Sequence, residues 1–207
     1  MKVLFVESLR KEKVPFTELE LLKKDLPEKI YLVYTIQYKD YAKDVKQQLE
    51  NHKKILGTSQ VLGCANLKTD ADAILLVGSG RFHALEMALM TGKEVYILEH
   101  NHLSKITKEE IDKLLKVRQG KIKKFLTATS IGVIVSLKPG QCNFSLAEKF
   151  AEKLKKKGKK SYIFIADYIN LGELENYPIE AWVNTACPGL ELDSGIPNLR
   201  DVEQYLK

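Results

Sequence analysis

The sequence predicts an α/β protein made of two side-by-side, three-layer domains with mainly parallel sheets and a cleft between them. Three observations predict it. Short apolar runs, compact enough to be covered on both faces, alternate with helical patterns from end to end. The stretches between those runs carry helix start signals. The long helical pattern from Thr107 to Thr127 is followed by a fresh apolar run at Ile131, so the order of strand, loop and helix begins again without visible repetition of sequence.

Strands are expected at Val3–Glu7, Ile30–Thr35, Ala73–Val77 and Val95–Leu98, then at Gly132–Ser136, Ser161–Ala166 and Ala181–Val183. Of the helices, one opens at Thr17, which forms a capping box with Glu20 inside a Phe16/Leu21 hydrophobic staple. Thr107 with Glu110, flanked by Ile106 and Ile111, repeats the device, and Ser145 with Glu148 opens a third helix. A boundary near residue 125 divides the chain into a first domain over 1–125, with four strands, and a second over 126–207, with three.

Composition limits the function classes. Hydrophobic residues at 44% and charged ones at 29% are values of a folded globular chain, and no apolar run reaches the roughly 18 residues that span a bilayer. The start, MKVLFVESLRKEK, is neither a secretory signal nor a transit peptide, so a cytoplasmic location is expected. Three cysteines, an odd number, then read as free thiols or metal ligands before disulfides. The net charge of +6 permits an acidic partner. Its densest run, KLKKKGKK at 153–160, closes a helix where cations suit the dipole, and no nucleic-acid module accompanies it, so the lysines read as solvated helix faces.

In open α/β sheets ligands sit beyond the carboxyl ends of the strands, and four segments fall there. Gln60 to Asn66, expected between the second helix and the third strand, sets Gly63 beside Cys64, either a buried inert thiol or a ligand. Gly78, Ser79, Gly80 and Arg81 lead a strand into a helix, either an anion site made by its first amides with the arginine or a glycine-turn join without a ligand. His83 reads as structural, and His52, His100 and His102 have no evident partner. Lys138, Gly140, Gln141 and Cys142 bring a cation, a turn, an amide and a thiol to the mouth of the second domain. In Asn184-Thr185-Ala186-Cys187-Pro188, proline ends a strand and stiffens the loop around the sulfur. No CxxC spacing is present, so spacing alone yields no metal site, though three thiolates from three loops suffice for a cubane cluster with one open iron.

The stretches "QVLGC" at 60–64, "LLVGSGRFHALEMALMTGKEVYIL" at 75–98, "IGVIVSLKPGQ" at 131–141, the lysine-rich 146–162 and "YPIEAWVNTACP" at 177–188 resemble the Dph2 family of archaeal diphthamide synthesis enzymes, in the same order and at similar intervals. The resemblance implies α/β domains around a central site, each giving one cysteine to a 4Fe-4S cluster. The cluster's open iron binds S-adenosylmethionine and cleaves it to a 3-amino-3-carboxypropyl radical, which is added to a histidine of elongation factor 2. Carried over, the family cysteines become Cys64 and Cys187, the "GSGRFH" and "KPGQ" loops line the cofactor cleft, and Gln141 faces the methionine end of the nucleoside.

Three departures mark this chain. The family has three such domains, and these residues match the second and third. Gly189 stands where the family pattern has an arginine. Cys142 follows "KPGQ" at a position without a family cysteine, and would supply the third thiolate beside Cys64 and Cys187. The expected function is a transferase of the 3-amino-3-carboxypropyl group, with elongation factor 2 or another acceptor as substrate. Alternatives are a non-catalytic or electron-relaying subunit of a full-length Dph2-like enzyme, a homodimer completing its own site, or a 4Fe-4S dehydratase or desulfurase that does not use S-adenosylmethionine.

Overall fold

The computed structural model describes residues 4, 6, 8–10, 16–61, 67–187, 189–190 and 196–206, giving for 16–19 and 21 the backbone course alone. The chain separates into two compact units, Met1–Asp112 and Lys113–Lys207. The first holds 17 lysines and arginines against 17 aspartates and glutamates, the second 16 against 10, so the whole net charge of +6 lies in the second.

Among the described residues, the first unit has a five-stranded sheet in the order β2-β1-β3-β4-β5, formed by β1 (Lys29–Tyr34), β2 (Lys54–Gln60), β3 (Ala73–Val77), β4 (Glu94–Glu99) and β5 (His102–Lys105). The first four run parallel and β5 returns antiparallel to β4. Strand β3 is buried on both faces because alternate side chains enter two cores. Ala73, Leu75 and Val77 join Leu22 of α1 (Phe16–Asp25) and Tyr41, Val45 and Leu49 of α2 (Lys39–Leu49). Ile74 and Leu76 join Ala84, Met87 and Ala88 of α3 (Arg81–Thr91), with Ile111 of α4 (Lys108–Thr127) packed against them. Helices on both faces of a mainly parallel sheet are the architecture that the continuous apolar runs predict.

Two strands escape the pattern. β2 is an edge strand whose burial alternates, with Gly57 lying under the ring of Tyr31, so it shows no apolar run. β5 has a single apolar residue, Leu103, among its four and is reached through a two-residue turn in which His100 and Asn101 take φ of 48° and 59°. That is the mirror-image turn that asparagine favours in tight hairpins. Arg10 Nη1 lies 2.6 Å from Tyr38 Oη and 2.8 Å from His100 Nε2, giving that histidine a partner that sequence spacing hides. Conversely, Leu4 and Val6 of the expected strand Val3–Glu7 are exposed and lie in no strand. Val3, Phe5 and Glu7 lie outside the described residues.

The second unit has a three-stranded parallel sheet in the order β7-β6-β8. It consists of β6 (Ser130–Ser136), β7 (Lys160–Ala166) and β8 (Ala181–Asn184), with α5 (Phe144–Lys156), the short α6 (Leu171–Leu174) and α7 (Leu199–Glu203) in its connections. One face packs Ile131, Val133 and Val135 against Phe125 of α4, Phe150 and Leu154 of α5, and Leu199 and Val202 of α7. On β6, Gly132 pairs in register with Trp182, whose ring would lie 2.3 Å from a Cβ at that position. Trp182 in turn meets Phe164 edge-on at 4.6 Å.

The box of Thr107 and Glu110 forms as predicted: Thr107 N–H donates to Glu110 Oε2 at 2.9 Å and Glu110 N–H to Thr107 Oγ1 at 3.3 Å. Ser145 is not a cap, because α5 starts at Phe144 with Asn143 before it. The side chains of Thr17 and Leu21 lie outside the described residues. No helix among the described residues is long and apolar enough to cross a membrane.

Within α4, Gly120 lacks a packing reason, since a Cβ there would meet nothing within 4 Å. Gly120→Ala is therefore expected to raise stability by about 1 kcal/mol through helix propensity alone, seen as a higher midpoint in urea. A lower midpoint would mean that this face of α4 is in contact with something.

Candidate functional site

The loops leaving the carboxyl ends of β6, β7 and β8 meet over an open cleft of about 530 Å³, with Ser136, Lys138, Gln141, Tyr168, Asn170 and Cys187 among its lining. β6 is the central strand, and the chain steps to β7 on one side and β8 on the other. The cleft is thus a switch point of the sheet, where α/β folds open a crevice.

Each loop is held by its own bonds. Leu137 N–H continues the ladder to Ala166 O at 3.0 Å, and Lys138 N–H donates to the buried Ser136 Oγ at 3.2 Å. Gln141 N–H then closes a turn onto Lys138 O at 3.0 Å. Pro139 and Gly140, with φ of 77° at the glycine, are the central pair that a type II turn requires. This turn aims Lys138 and Gln141 into the cleft, and Lys138 Nζ stands 5.5 Å from the centre of the Tyr168 ring.

The Cys187 loop is pinned from beneath. Asn184, 1% exposed, donates from Nδ2 to Cys187 O at 2.7 Å and to Asn198 Oδ1 at 3.1 Å, and its Oδ1 accepts from Ala186 N–H at 2.8 Å. Leu190 N–H adds a second bond to Cys187 O at 3.1 Å. Thr185 binds Ile134 O through its hydroxyl at 2.8 Å, and Asn143 Nδ2 reaches Thr185 O at 2.8 Å, lacing the loops after β6 and β8 together. The result is a partly buried thiol on a rigid backbone.

Cys142 is exposed and does not line this cleft. Cys64 lies outside the described residues. Among the described residues no group of three or more histidine, cysteine or acidic side chains gathers to hold a metal ion. In chemistry and burial Cys187 suits an iron–sulfur ligand.

In the first unit, Gly78 to Arg81 join β3 to α3 at the corresponding edge. Gly80, at φ of 94°, precedes the helix in a conformation that favours glycine, and Ser79 is exposed. Arg81 is engaged in its own unit: Nε and Nη2 form a two-bond fork with Glu110 at 2.7 Å each, and Nη2 also reaches Lys105 O. The Glu110 carboxyl is held down at about 2 from 4.5, first by that guanidinium and then by Thr107 N–H. His83, half-buried, has its basicity lowered by burial, and its Nδ1 has no hydrogen-bond partner among the described residues.

Because the folded-state value of Glu110 lies below the unfolded one, its stabilisation is complete above pH 4.5 and is lost as pH falls towards 2. The pair is partly exposed, so screening reduces it well below the full linkage value. Glu110→Gln is expected to cost about 1 kcal/mol in urea unfolding at pH 7 and to differ little from the parent near pH 2.

Sequence reasoning missed Tyr168 and Asn170 and left Asn184 without a role. The loop after β7 was accessible to the same rule that found the other three, since it too follows the carboxyl end of a parallel strand. The task of Asn184 was hidden, because its partners are backbone groups of a loop and Asn198.

Comparison with known proteins fits this geometry. The family model for diphthamide synthesis proteins matches residues 1–201. The chain is 32% identical over 182 residues to the 2-(3-amino-3-carboxypropyl)histidine synthase of Pyrococcus horikoshii, covering 82% of this chain and 53% of that protein. With the synthase of Methanocaldococcus jannaschii it shares 33% over 174 residues, 81% of this chain and 47% of the relative. It thus spans about half the length of the curated relatives that it matches. Among solved structures, Dph2 from Pyrococcus horikoshii superposes with a TM-score of 0.80 at 30% identity, over 93% of this chain and 62% of that one. The structure of that Dph2 with a 4Fe-4S cluster also gives 0.80, at 31% identity, over 91% and 62%. The order of motifs, the paired α/β units and these matches agree, and the chain belongs to the diphthamide synthesis protein family.

Proposed function

We propose that the protein is a 4Fe-4S-dependent transferase of the 3-amino-3-carboxypropyl group, taking it from S-adenosylmethionine. The observation that carries this reading is the cleft at the β6–β8 switch point, which gathers Cys187, Gln141 and Lys138 on bonded loops. A relative of 31% identity and the same fold is a Dph2 solved with such a cluster. When bound, the cluster supplies an electron that breaks the bond from the sulfonium to the aminocarboxypropyl carbon, leaving methylthioadenosine. In this chain Cys187 and Cys64 hold the cluster and Cys142 is the candidate for the third thiolate. The loop of Gly78 to Arg81 lines the cofactor side of the first unit. Gln141 offers both an amide donor and an acceptor to the cosubstrate. The acceptor is a histidine of elongation factor 2, or of another protein, and the setting is cytoplasmic.

A second reading, a non-catalytic or electron-relaying subunit beside a full-length Dph2-like chain, is favoured by one observation. Cys142 is exposed and lies outside the cleft lining. Anaerobic reconstitution separates the two. About four irons and four sulfides per chain, lost in Cys187→Ala and in Cys142→Ala, together with methylthioadenosine release from the reduced protein, are expected of the enzyme. Iron retained in Cys142→Ala means that the third ligand comes from elsewhere. Absence of iron in the parent protein removes the enzyme reading.

A further inference from the structure

We infer that Lys138 receives the carboxylate at the amino-acid end of the cosubstrate, and that Tyr168 is the positioning residue that holds its ammonium there. This rests on the reading of the cleft as an S-adenosylmethionine site.

The electrostatics of the lining carry the inference. Among the described residues, the lining around Lys138 presents the hydroxyl of Ser136, the amides of Gln141 and Asn170, apolar side chains and the Cys187 thiol, with no aspartate or glutamate. Among these described residues Lys138 is the charged side chain, and it favours an anion. A cation at the mouth of a parallel sheet is often neutralised within the protein, as Arg81 is by Glu110. Lys138 is not: among the described residues its Nζ makes neither a hydrogen bond nor an ion pair, and its contact is with the face of Tyr168 at 5.5 Å.

An aromatic face attracts an ammonium but accepts no conventional hydrogen bond, so it orients the group while leaving its three N–H donors available. The stem is equally constrained, since the backbone N–H of Lys138 is bound to Ser136 and its carbonyl to Gln141. Tyr168 itself is 75% exposed and fills no core, so its ring is not explained by packing. S-adenosylmethionine carries one carboxylate, and its sulfonium is repelled by a cation. A single lysine at one end of the cleft thus fixes which end of the molecule lies there.

The test uses two nucleosides that differ in the group concerned. S-adenosylhomocysteine keeps the aminocarboxypropyl chain, methylthioadenosine lacks it, and neither bears the sulfonium. Calorimetric titration of the full chain is expected to show S-adenosylhomocysteine bound more tightly. Lys138→Met should weaken S-adenosylhomocysteine about tenfold, the size of a charge-assisted contact, and leave methylthioadenosine within about twofold. Lys138→Arg should keep the preference. Tyr168→Ala should lose a few-fold of that selectivity and Tyr168→Phe should retain it, a ratio that mere loss of structure would not move. If Lys138→Met changes both affinities equally, or neither, the role of Lys138 is overturned and the site reading stands. If Tyr168→Ala leaves the ratio intact, the positioning role is overturned. If the parent protein binds neither nucleoside, the S-adenosylmethionine reading falls, and this inference with it.

Discussion

Asn184→Ala is expected to remove about 3 kcal/mol of folding stability from the second unit and to loosen the Cys187 loop. The side chain makes three hydrogen bonds at 1% exposure, to Cys187 O, Asn198 Oδ1 and Ala186 N–H. Each is worth about 1 kcal/mol net, and the abandoned partners add cost where water cannot reach them. Trp182, the single tryptophan of the chain and partly buried next to β6, reports unfolding in urea. Reactivity of the Cys187 thiol towards a disulfide reagent, in a background where Cys64 and Cys142 are serine, should rise well before global unfolding. Asn184→Asp supplies a control, for it keeps an acceptor towards Ala186 but turns a carboxylate towards two other acceptors. At neutral pH it should be at least as damaging as alanine. A variant with normal stability and an unchanged thiol would show that the loop is held by Leu190 and Thr185 alone.

Gly132→Ala is the second large effect. The added Cβ would meet Trp182 Cε3 at 2.3 Å and Cζ3 at 2.4 Å, distances that real contacts do not reach. The indole is confined by Phe164 at 4.6 Å and Tyr177 at 6.3 Å, so it cannot swing aside without disturbing those rings. Overpacking of this kind costs about 2 kcal/mol. The loss should appear as a lower urea midpoint with an altered tryptophan emission. Replacing Trp182 by leucine in the same chain makes room, so the double variant should be more stable than the sum of the single effects predicts. Simple additivity would mean that the strain is relieved elsewhere.

How much of this was legible in the sequence depended on where each residue sits relative to water. Strands β1, β3, β4, β6, β7 and β8 are found within two residues because their apolar runs are continuous, as the central strands β1, β3, β4 and β6 require and as the edge strands β7 and β8 also show. β2 and β5 are missed because an edge strand needs apolar side chains on fewer positions, and Gly57 and Ser104 break the pattern. The segment 60–66 accordingly follows a strand rather than the helix that its position suggests. The motif residues Lys138, Gln141 and Cys187 meet in one cleft because strand order brings their loops together. Periodicity cannot supply strand order; the family resemblance pointed to it. The engagement of Arg81 by Glu110 was hidden because a capping glutamate, recognisable three residues after Thr107, gives no sign that its second oxygen serves another segment.

The unequal division of charge between the units has a consequence for how the molecule responds to its solvent. The first unit is balanced, while the second carries six more cations than anions and so repels itself when folded into a small volume. Dissolved ions screen that repulsion over about 8 Å at physiological strength. Added salt therefore favours the folded form of one half of the polypeptide and is close to neutral for the other. Ionic strength acts on this protein as a selective variable, setting which half yields first.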